Sequence, residues 1–143
     1  MRPLLLSSHS HQGGAAVAAQ RLHKGLMGIG LDSKMFVQRG QSTEESVLGP
    51  RSQVDEWIEE IRHRIKHLPL WRHYFLDDQR SLFSSAWVPD NILKDIEYLS
   101  PDLLHLHWIN GFVTPETIGK IDVPIVWTLH DMWPFTGGCH YAR

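Results

Sequence analysis

The sequence predicts an α/β protein, a parallel sheet with flanking helices, and three observations lead to this prediction. Short apolar segments typical of strands alternate along the chain with segments in which apolar residues recur at helical spacing. A polar loop with two adjacent glycines follows the first strand-like segment. The last apolar segment ends in a His-Asp pair, and the carboxyl edge of such a sheet is where ligands bind.

The size and composition are those of one domain, residues 1–143, with a real core. A net charge of −2 gives no reason to expect a nucleic-acid partner. Cys139 is the single cysteine, so no intrachain disulfide can form, and the sequence shows neither a signal peptide nor a membrane span. We therefore expect a cytoplasmic protein. Ten histidines and six tryptophans stand out and suit polar ligands such as sugars, although the tryptophans can equally pack in the core.

The first part of the chain predicts a strand, a loop, a helix and a second strand. Residues 3–7 are apolar and short, and residues 8–14 are polar with two glycines. Apolar residues at helical spacing predict a helix over residues 15–27, which further glycines end. Residues 34–38 predict the second strand, which completes the opening of a doubly wound fold.

The middle of the chain predicts a loop and a long amphipathic helix. Residues 41–51 are polar and rich in turn formers, and residues 53–74 carry apolar positions at spacings of three and four. Acidic residues begin this helix and basic residues end it, as the helix dipole favours. Contact of this helix with anionic lipid is the alternative. Residues 81–87 fit either a loop or a short edge strand.

The second half continues the alternation. Residues 91–99 predict a helix capped by Asp90, and residues 103–108 predict a strand. A short helix over residues 114–120 and a buried strand over residues 125–130 follow. Strands separated by helices favour a parallel sheet.

The glycine loop is the first candidate site. Gly13 and Gly14 lie between the first strand and the first helix, where glycine lets the backbone approach a ligand and the helix offers free N–H groups to an anion. An ordinary turn is the alternative. The Gly-x-Gly-x-x-Gly fingerprint is absent, which disfavours a nicotinamide or flavin cofactor.

Two strand ends carry the other candidates. His105 and His107 are two residues apart and are predicted to share one face of their strand, opposite Leu104, Leu106 and Trp108. A metal pair would need a third ligand, so hydrogen-bonded interior histidines are the commoner outcome. A metal-dependent hydrolase built on these two and His130 is one open alternative.

His130 and Asp131 end the last predicted strand. The His130 imidazole can donate a hydrogen bond to a hydroxyl or act as a base, and polarity of a strand end without a role is the alternative. Adjacent Cys139 and His140 rarely share one metal, so we expect no metal and treat Cys139 as structural or as a free thiol.

Two motifs, taken with the Gly-Gly loop, resemble a known family. They are Pro-Asp-Leu-Leu-His-Leu-His-Trp at residues 101–108 and Pro-Ile-Val-Trp-Thr-Leu-His-Asp-Met-Trp-Pro-Phe-Thr-Gly-Gly-Cys-His-Tyr at residues 124–141. Together they resemble the N-terminal domain of family 4-like glycosyltransferases, which are GT-B enzymes of bacterial exopolysaccharide and colanic-acid-type pathways. The resemblance covers most of the chain, and the second motif is the more specific part of it.

The resemblance implies a Rossmann-like fold and a retaining transferase that moves a sugar from a nucleotide-sugar donor to an acceptor hydroxyl. It implies that Gly13 and Gly14 lie near the donor phosphates and that His130 is the catalytic residue near the reacting sugar. His107, Trp108 and Asp131 would bind a sugar or lipid-linked acceptor. Such enzymes use no cofactor beyond the nucleotide sugar and usually no catalytic metal.

The chain also departs from the family pattern, because the donor-binding domain of a GT-B enzyme is absent from residues 1–143. We therefore expect the chain alone to be inactive, and we expect the complete enzyme at the inner face of the membrane. An open sheet edge could pair with a second copy in a homodimer. The alternative is a stand-alone binding or assembly module that pairs with a separate donor-domain chain.

Overall fold

The computed structural model describes residues 1–40, 43–49, 57, 61, 64–65, 84, 86–87 and 89–141. Within them the strands are β1 (Pro3–His9), β2 (Lys34–Arg39), β3 (Val47–Leu48), β4 (Leu103–Leu106) and β5 (Ile125–Trp127). The helices are α1 (Gly14–Gly28), α2 (Ile92–Leu99), α3 (Pro115–Ile118) and α4 (Trp133–Thr136). None of the helices in this part of the chain is long and apolar enough to cross a membrane.

The five strands form one parallel sheet in the order β3-β2-β1-β4-β5. From β1 the chain adds β2 and then β3 on one side of the sheet, and it then adds β4 and β5 on the other side. The point of reversal lies between β1 and β4, and in open α/β sheets ligands bind beside such a point, outside the carboxyl ends of the strands. The α/β Rossmann-like arrangement that the sequence predicts is therefore confirmed.

Alternating side chains of the strands build a core on each face of the sheet. Leu5 packs with Met35 and Val37 on the face that α1 covers through Ala19. The neighbouring residues of β1, Leu4 and Leu6, point the other way, into a larger cluster that includes two isoleucines of α2. Helices thus cover both faces of the sheet, and their packing holds the strand ends that carry the polar residues.

Several predicted elements are confirmed near their predicted bounds, and others differ. The predicted loop over residues 41–51 contains β3, a strand of two residues that is too short to produce a detectable alternation. The predicted helix over residues 53–74 falls mostly outside the described residues, although Trp57, Ile61, Arg64 and Ile65 are helical. Of residues 81–87, the described ones have no regular structure.

The last strand is shorter and more exposed than predicted. We expected a buried strand over residues 125–130, but β5 covers three residues, and in the described part of the sheet its one neighbour is β4. Ile125 is 36% exposed and Val126 is 44% exposed. An apolar run of this length looks the same in sequence on an edge strand and on an inner one, which explains the error. β4 likewise ends at Leu106, before the predicted Trp108.

Asp90 does more than cap one helix. Its carboxylate accepts a hydrogen bond from the backbone N–H of Ile92 at 3.3 Å, at the start of α2. It also accepts bonds from the N–H of Thr114 at 2.7 Å and from the hydroxyl of Thr117 at 3.0 Å. Asp90 therefore ties α2 to α3, and the capping position of α2 itself belongs to Asn91.

Thr114 caps α3, and its removal is expected to destabilise the chain. The Thr114 hydroxyl accepts a hydrogen bond from the backbone N–H of Thr117 at 3.3 Å. Thr114→Ala should lower the free energy of unfolding by about 1 kcal/mol, measured by denaturant titration, because that N–H loses its partner. Thr114→Ser keeps the hydroxyl, so its free energy of unfolding should fall much less. Equal losses in the two variants would show that the methyl group, not the cap, carries the effect.

Candidate functional site

A shallow, solvent-open cleft lies at the carboxyl ends of β4 and β5. Most of its lining comes from the loops that follow these two strands. The lining residues are His107, Trp108, Ile109, Asn110, Trp127, His130, Asp131, Trp133 and Pro134. Three indole rings and two imidazoles therefore surround one space, and four of the residues predicted for the site meet there.

His105 and His107 share one face of the sheet, as the sequence predicts. Trp108 was predicted on the opposite face but lines the cleft with His107, because β4 ends at Leu106. The rings of His105 and His107 stack with centroids 4.6 Å apart, and those of His107 and His130 stack at 5.4 Å. His105 Nε2 lies 2.8 Å from the hydroxyl of Thr128. Leu104 and Leu106 pack in the core on the opposite face. The strand register thus brings His107 and His130 together from two different strands.

His107 and His130 form a hydrogen-bonded pair, with His107 Nδ1 3.2 Å from His130 Nε2. Burial, together with the neighbouring imidazoles of His105 and His130, lowers the pKa of His107 to about 4. Burial also lowers the pKa of His130, against the opposing effect of the Asp131 carboxylate. Both rings are therefore mainly neutral at pH 7, and a single hydrogen lies between them.

A neutral pair of this kind presents opposite hydrogen-bonding character at its two outer nitrogens. If His107 donates to His130, then His107 Nε2 is an acceptor and His130 Nδ1 carries a hydrogen; the other tautomer reverses both roles. A proton accepted at one end can thus be released at the other without net charge on the pair. His107 Nε2 and Asn110 Oδ1 are both buried, and neither has a hydrogen-bond partner among the described residues. Unpaired buried groups of this kind are rare in native proteins and are often satisfied by a ligand or water.

Asp131 is engaged within the protein. One of its oxygens accepts a hydrogen bond from the backbone N–H of Trp133 at 3.0 Å, and the other bonds to His140 Nδ1. His140 is 2% exposed, and its Nε2 lies 2.9 Å from both Asn110 Nδ2 and the Ser84 hydroxyl. The ring also stacks on Trp108 with centroids 5.2 Å apart. The sequence gives no local signal for this set, since beside Cys139 the His140 side chain suggests only a metal ligand.

The glycine loop lies outside the cleft, at the end of the adjacent strand. Gly13 precedes α1 with a φ of 88°, and a Cβ added at Gly13 or Gly14 would meet nothing within 4 Å. No side chain among the described residues caps α1, and its first turn has no acidic residue, so its leading N–H groups suit an anion. The Ser8 N–H and hydroxyl each bond to the carbonyl oxygen of Trp108 at 2.7 Å, which ties the ends of β1 and β4 together.

Metal binding can be examined only in the part of the chain that the structure describes. There, no group of three or more His, Cys, Asp or Glu side chains is arranged to hold a metal ion. Within this part of the chain, the His105 ring is hydrogen-bonded to Thr128 and the His130 ring to His107.

Comparison with known proteins gives one informative relative. The chain is 29% identical over 141 residues to WcaC of Escherichia coli (strain K12), whose name assigns it provisionally as a colanic acid biosynthesis glycosyl transferase. The match covers 92% of this chain and 33% of the relative, so the chain spans about a third of that protein's length. No protein-family model matches the chain, and no solved structure matches it significantly. The similarity supports a glycosyltransferase family.

Proposed function

We propose that the chain is the acceptor-side domain of a GT-B glycosyltransferase of the family 4-like type. The complete enzyme would transfer a sugar, with retention, from a nucleotide-sugar donor to an acceptor hydroxyl in exopolysaccharide or glycolipid synthesis. The observation that carries the proposal is the neutral His107–His130 pair in a cleft lined by three tryptophans. The similarity to WcaC and the motif resemblance support it, and the retaining outcome comes from the resemblance alone.

The cleft has the chemistry that a sugar ring needs. Indole faces pack against apolar C–H groups, and a few fixed polar groups orient a ligand within a mostly apolar pocket. Trp108, Trp127 and Trp133 supply the indoles, and His107 and His130 supply the polar groups. A hydroxyl at His107 Nε2 would also satisfy a buried nitrogen that has no partner among the described residues.

The proposed roles follow the charge that develops during transfer. The sugar gains positive charge and the leaving phosphate gains negative charge, and the free N–H groups at Gly13 and Gly14 would stabilise the phosphate oxygens. The His130 imidazole would bond and orient a hydroxyl of the reacting sugar or of the acceptor. His107 and Trp108 would contact the acceptor. Asp131 was expected to do so too, but we assign its carboxylate to holding the loop, since both oxygens are engaged.

The rest of the machinery is proposed to lie elsewhere in the complete protein. Because the chain spans about a third of the relative's length, we assign most donor contacts to a further domain and expect this chain alone to be inactive. We propose a sugar or lipid-linked sugar as acceptor, at the cytoplasmic face of the membrane. No resident cofactor or metal forms part of the proposal.

Gly13→Ala is expected to destabilise the chain by about 1–3 kcal/mol, because the backbone at Gly13, with φ 88° and ψ 161°, lies in a region open essentially to glycine alone. Gly14→Ala is the matched control: it starts α1 without a positive φ and has open space for a Cβ. Alanine favours helices, so Gly14→Ala should keep or raise stability. Denaturant unfolding measures both. A Gly13→Ala variant as stable as Gly14→Ala would contradict the strained geometry assigned to this loop.

Two probes test the proposed function on the chain itself by NMR. A panel of methyl glycosides should shift the indole signals of the cleft tryptophans and the ring signals of His130. Inorganic pyrophosphate should instead shift the backbone amides of residues 13–16. Sorbitol, which has hydroxyls but no ring, is the control for the glycosides. Shifts that sorbitol reproduces, or that spread evenly over the surface, would contradict the sugar-binding cleft.

A further inference from the structure

We propose that His140 is a positioning residue for His130: its imidazole clamps the loop that follows β5 onto the loop that follows β4. One ring nitrogen bonds to Asp131, and the other bonds to Asn110 and Ser84. The importance of His130 rests on the proposed function, whereas the clamp itself rests on geometry.

The first step of the argument is that His140 has no capacity left for a ligand. The side chain is 2% exposed, Nδ1 bonds to Asp131 Oδ2, and Nε2 lies 2.9 Å from both Asn110 Nδ2 and Ser84 Oγ. A buried polar group is stabilising only when its hydrogen bonds are made, and here both nitrogens have partners. The ring is therefore committed to holding other groups in place.

The second step concerns the direction of His130. Asp131 follows it directly, and the two carboxylate oxygens of Asp131 are held by His140 and by the N–H of Trp133. The carbonyl oxygen of His140 also accepts a hydrogen bond from the N–H of Met132 at 3.1 Å. Side-chain and backbone bonds thus close residues 131–140 into a loop, and this closure fixes the backbone from which His130 projects.

The third step is that the clamp reaches both cleft histidines. Trp108 and Asn110 come shortly after His107, and His140 stacks on the first of them and bonds to the second. The same ring therefore holds the residues that follow His107 and the residue that follows His130. The strand register brings the two imidazoles together, and the His140 ring adds a bond between the loops that carry them.

A second interpretation of the same atoms must be tested. Ser84, His140 and Asp131 stand in the hydrogen-bonding order of a serine nucleophile, its base and an orienting acid. In this chain, however, Asn110 Nδ2 lies 2.9 Å from the same His140 Nε2, and the ring is almost fully buried. A base that an amide already engages is poorly suited to activate a nucleophile, which favours the positioning role.

Two isosteric variants separate the two sides of the clamp. In His140→Asn the amide nitrogen takes the place of Nδ1 and can still donate to Asp131, whereas in His140→Gln the amide reaches only the Nε2 partners. The readout is the titration of the His107 and His130 rings by NMR, which needs neither ligand nor activity. His140→Gln should raise the pKa of His107 by about one unit or more, because a released loop exposes the ring. His140→Asn gives up the bonds to Asn110 and Ser84, so it breaks the clamp on its β4 side and should raise the pKa of His107 as well. Cys139→Ser changes the neighbouring side chain without touching the clamp, and it should leave both titrations close to those of the unchanged chain.

The outcomes are distinct. A shift in Cys139→Ser as large as in the His140 variants would indicate a general packing effect and overturn the proposal, as would unchanged titrations in both His140 variants. Covalent labelling of Ser84 by a fluorophosphonate would overturn it in favour of the nucleophile.

Amide signals of β1 and β2 report whether each variant is folded. If His140→Gln is unfolded, Asn110→Ala removes the anchor on the β4 side and should give the same rise. Failure of sugar transfer by the complete protein would leave these results intact, so the two proposals fail independently.

Discussion

Replacing His130 with alanine in the product of the complete gene is expected to lower kcat for sugar transfer by about 10²- to 10⁴-fold, the usual contribution of a positioned acid–base or hydrogen-bonding group. His130 lines the cleft, and its Nε2 is already bonded to His107, so the ligand contact falls to Nδ1. The effect is measured as the initial rate at which the nucleoside diphosphate is released from the nucleotide sugar.

Matched variants make this prediction sharper. His130→Asn retains a polar group near Nδ1 and should recover more activity than His130→Gln, which retains one near Nε2. His105→Gln is the control on the same sheet face, since His105 bonds to Thr128 and is not part of the cleft lining. The kcat of His105→Gln should fall by less than about tenfold, because His105 contacts neither the sugar nor the acceptor in the proposed mechanism. A folded His130→Ala protein with unchanged kcat would remove His130 from the mechanism.

The second large effect is a loss of stability as the pH falls. The pKa of His107 is about 4 in the folded chain against 6.5 for a free imidazole, with burial as the main cause. Between these values the unfolded chain binds a proton that the folded chain does not, so stability rises with pH. The contribution of His107 is complete above pH 6.5 and is lost as the pH falls toward 4, a change of about 3 kcal/mol in all.

Denaturant unfolding at pH 7.5 and pH 5 measures this term. At pH 5 the chain should have lost about 2 kcal/mol through His107. Burial lowers the pKa of His23, His105 and His130 as well, so they add to the loss in the same direction. His107→Asn keeps a polar group near Nδ1 for His130 but cannot titrate, and its stability should therefore depend less on pH. Parallel pH dependences in His107→Asn and the unchanged chain would contradict the buried, neutral state of His107.

The sequence predicts the architecture well where the pattern is long. Apolar strand segments that alternate with helical ones predict the parallel sheet, and α1 lies within one residue of its predicted bounds at each end. The common face of His105 and His107 follows from the period of two in a strand. These features depend on local periodicity, which a single sequence displays directly.

Other features depend on tertiary context. Two residues of β3 are too few to show a period, and the exposed position of β5 is decided by the absence of a second neighbouring strand in the described sheet. The bonds of His140 to Asn110 and Ser84 join residues 30 and 56 positions apart, so no local pattern announces them. The bond between Asp131 and His140 is hidden in the same way, because the two residues lie nine positions apart, across a loop whose closure the sequence does not display.

One measurement tests the central claim most directly: the transfer of sugar by the purified product of the complete gene, supplied with a panel of nucleotide sugars and lipid-linked acceptors from bacterial membranes. The account predicts consumption of one nucleotide sugar, a new glycosidic bond whose anomeric configuration matches that of the donor, and loss of the product in His130→Ala. Absence of transfer with every donor, from a folded protein whose cleft also fails to bind methyl glycosides, would contradict it.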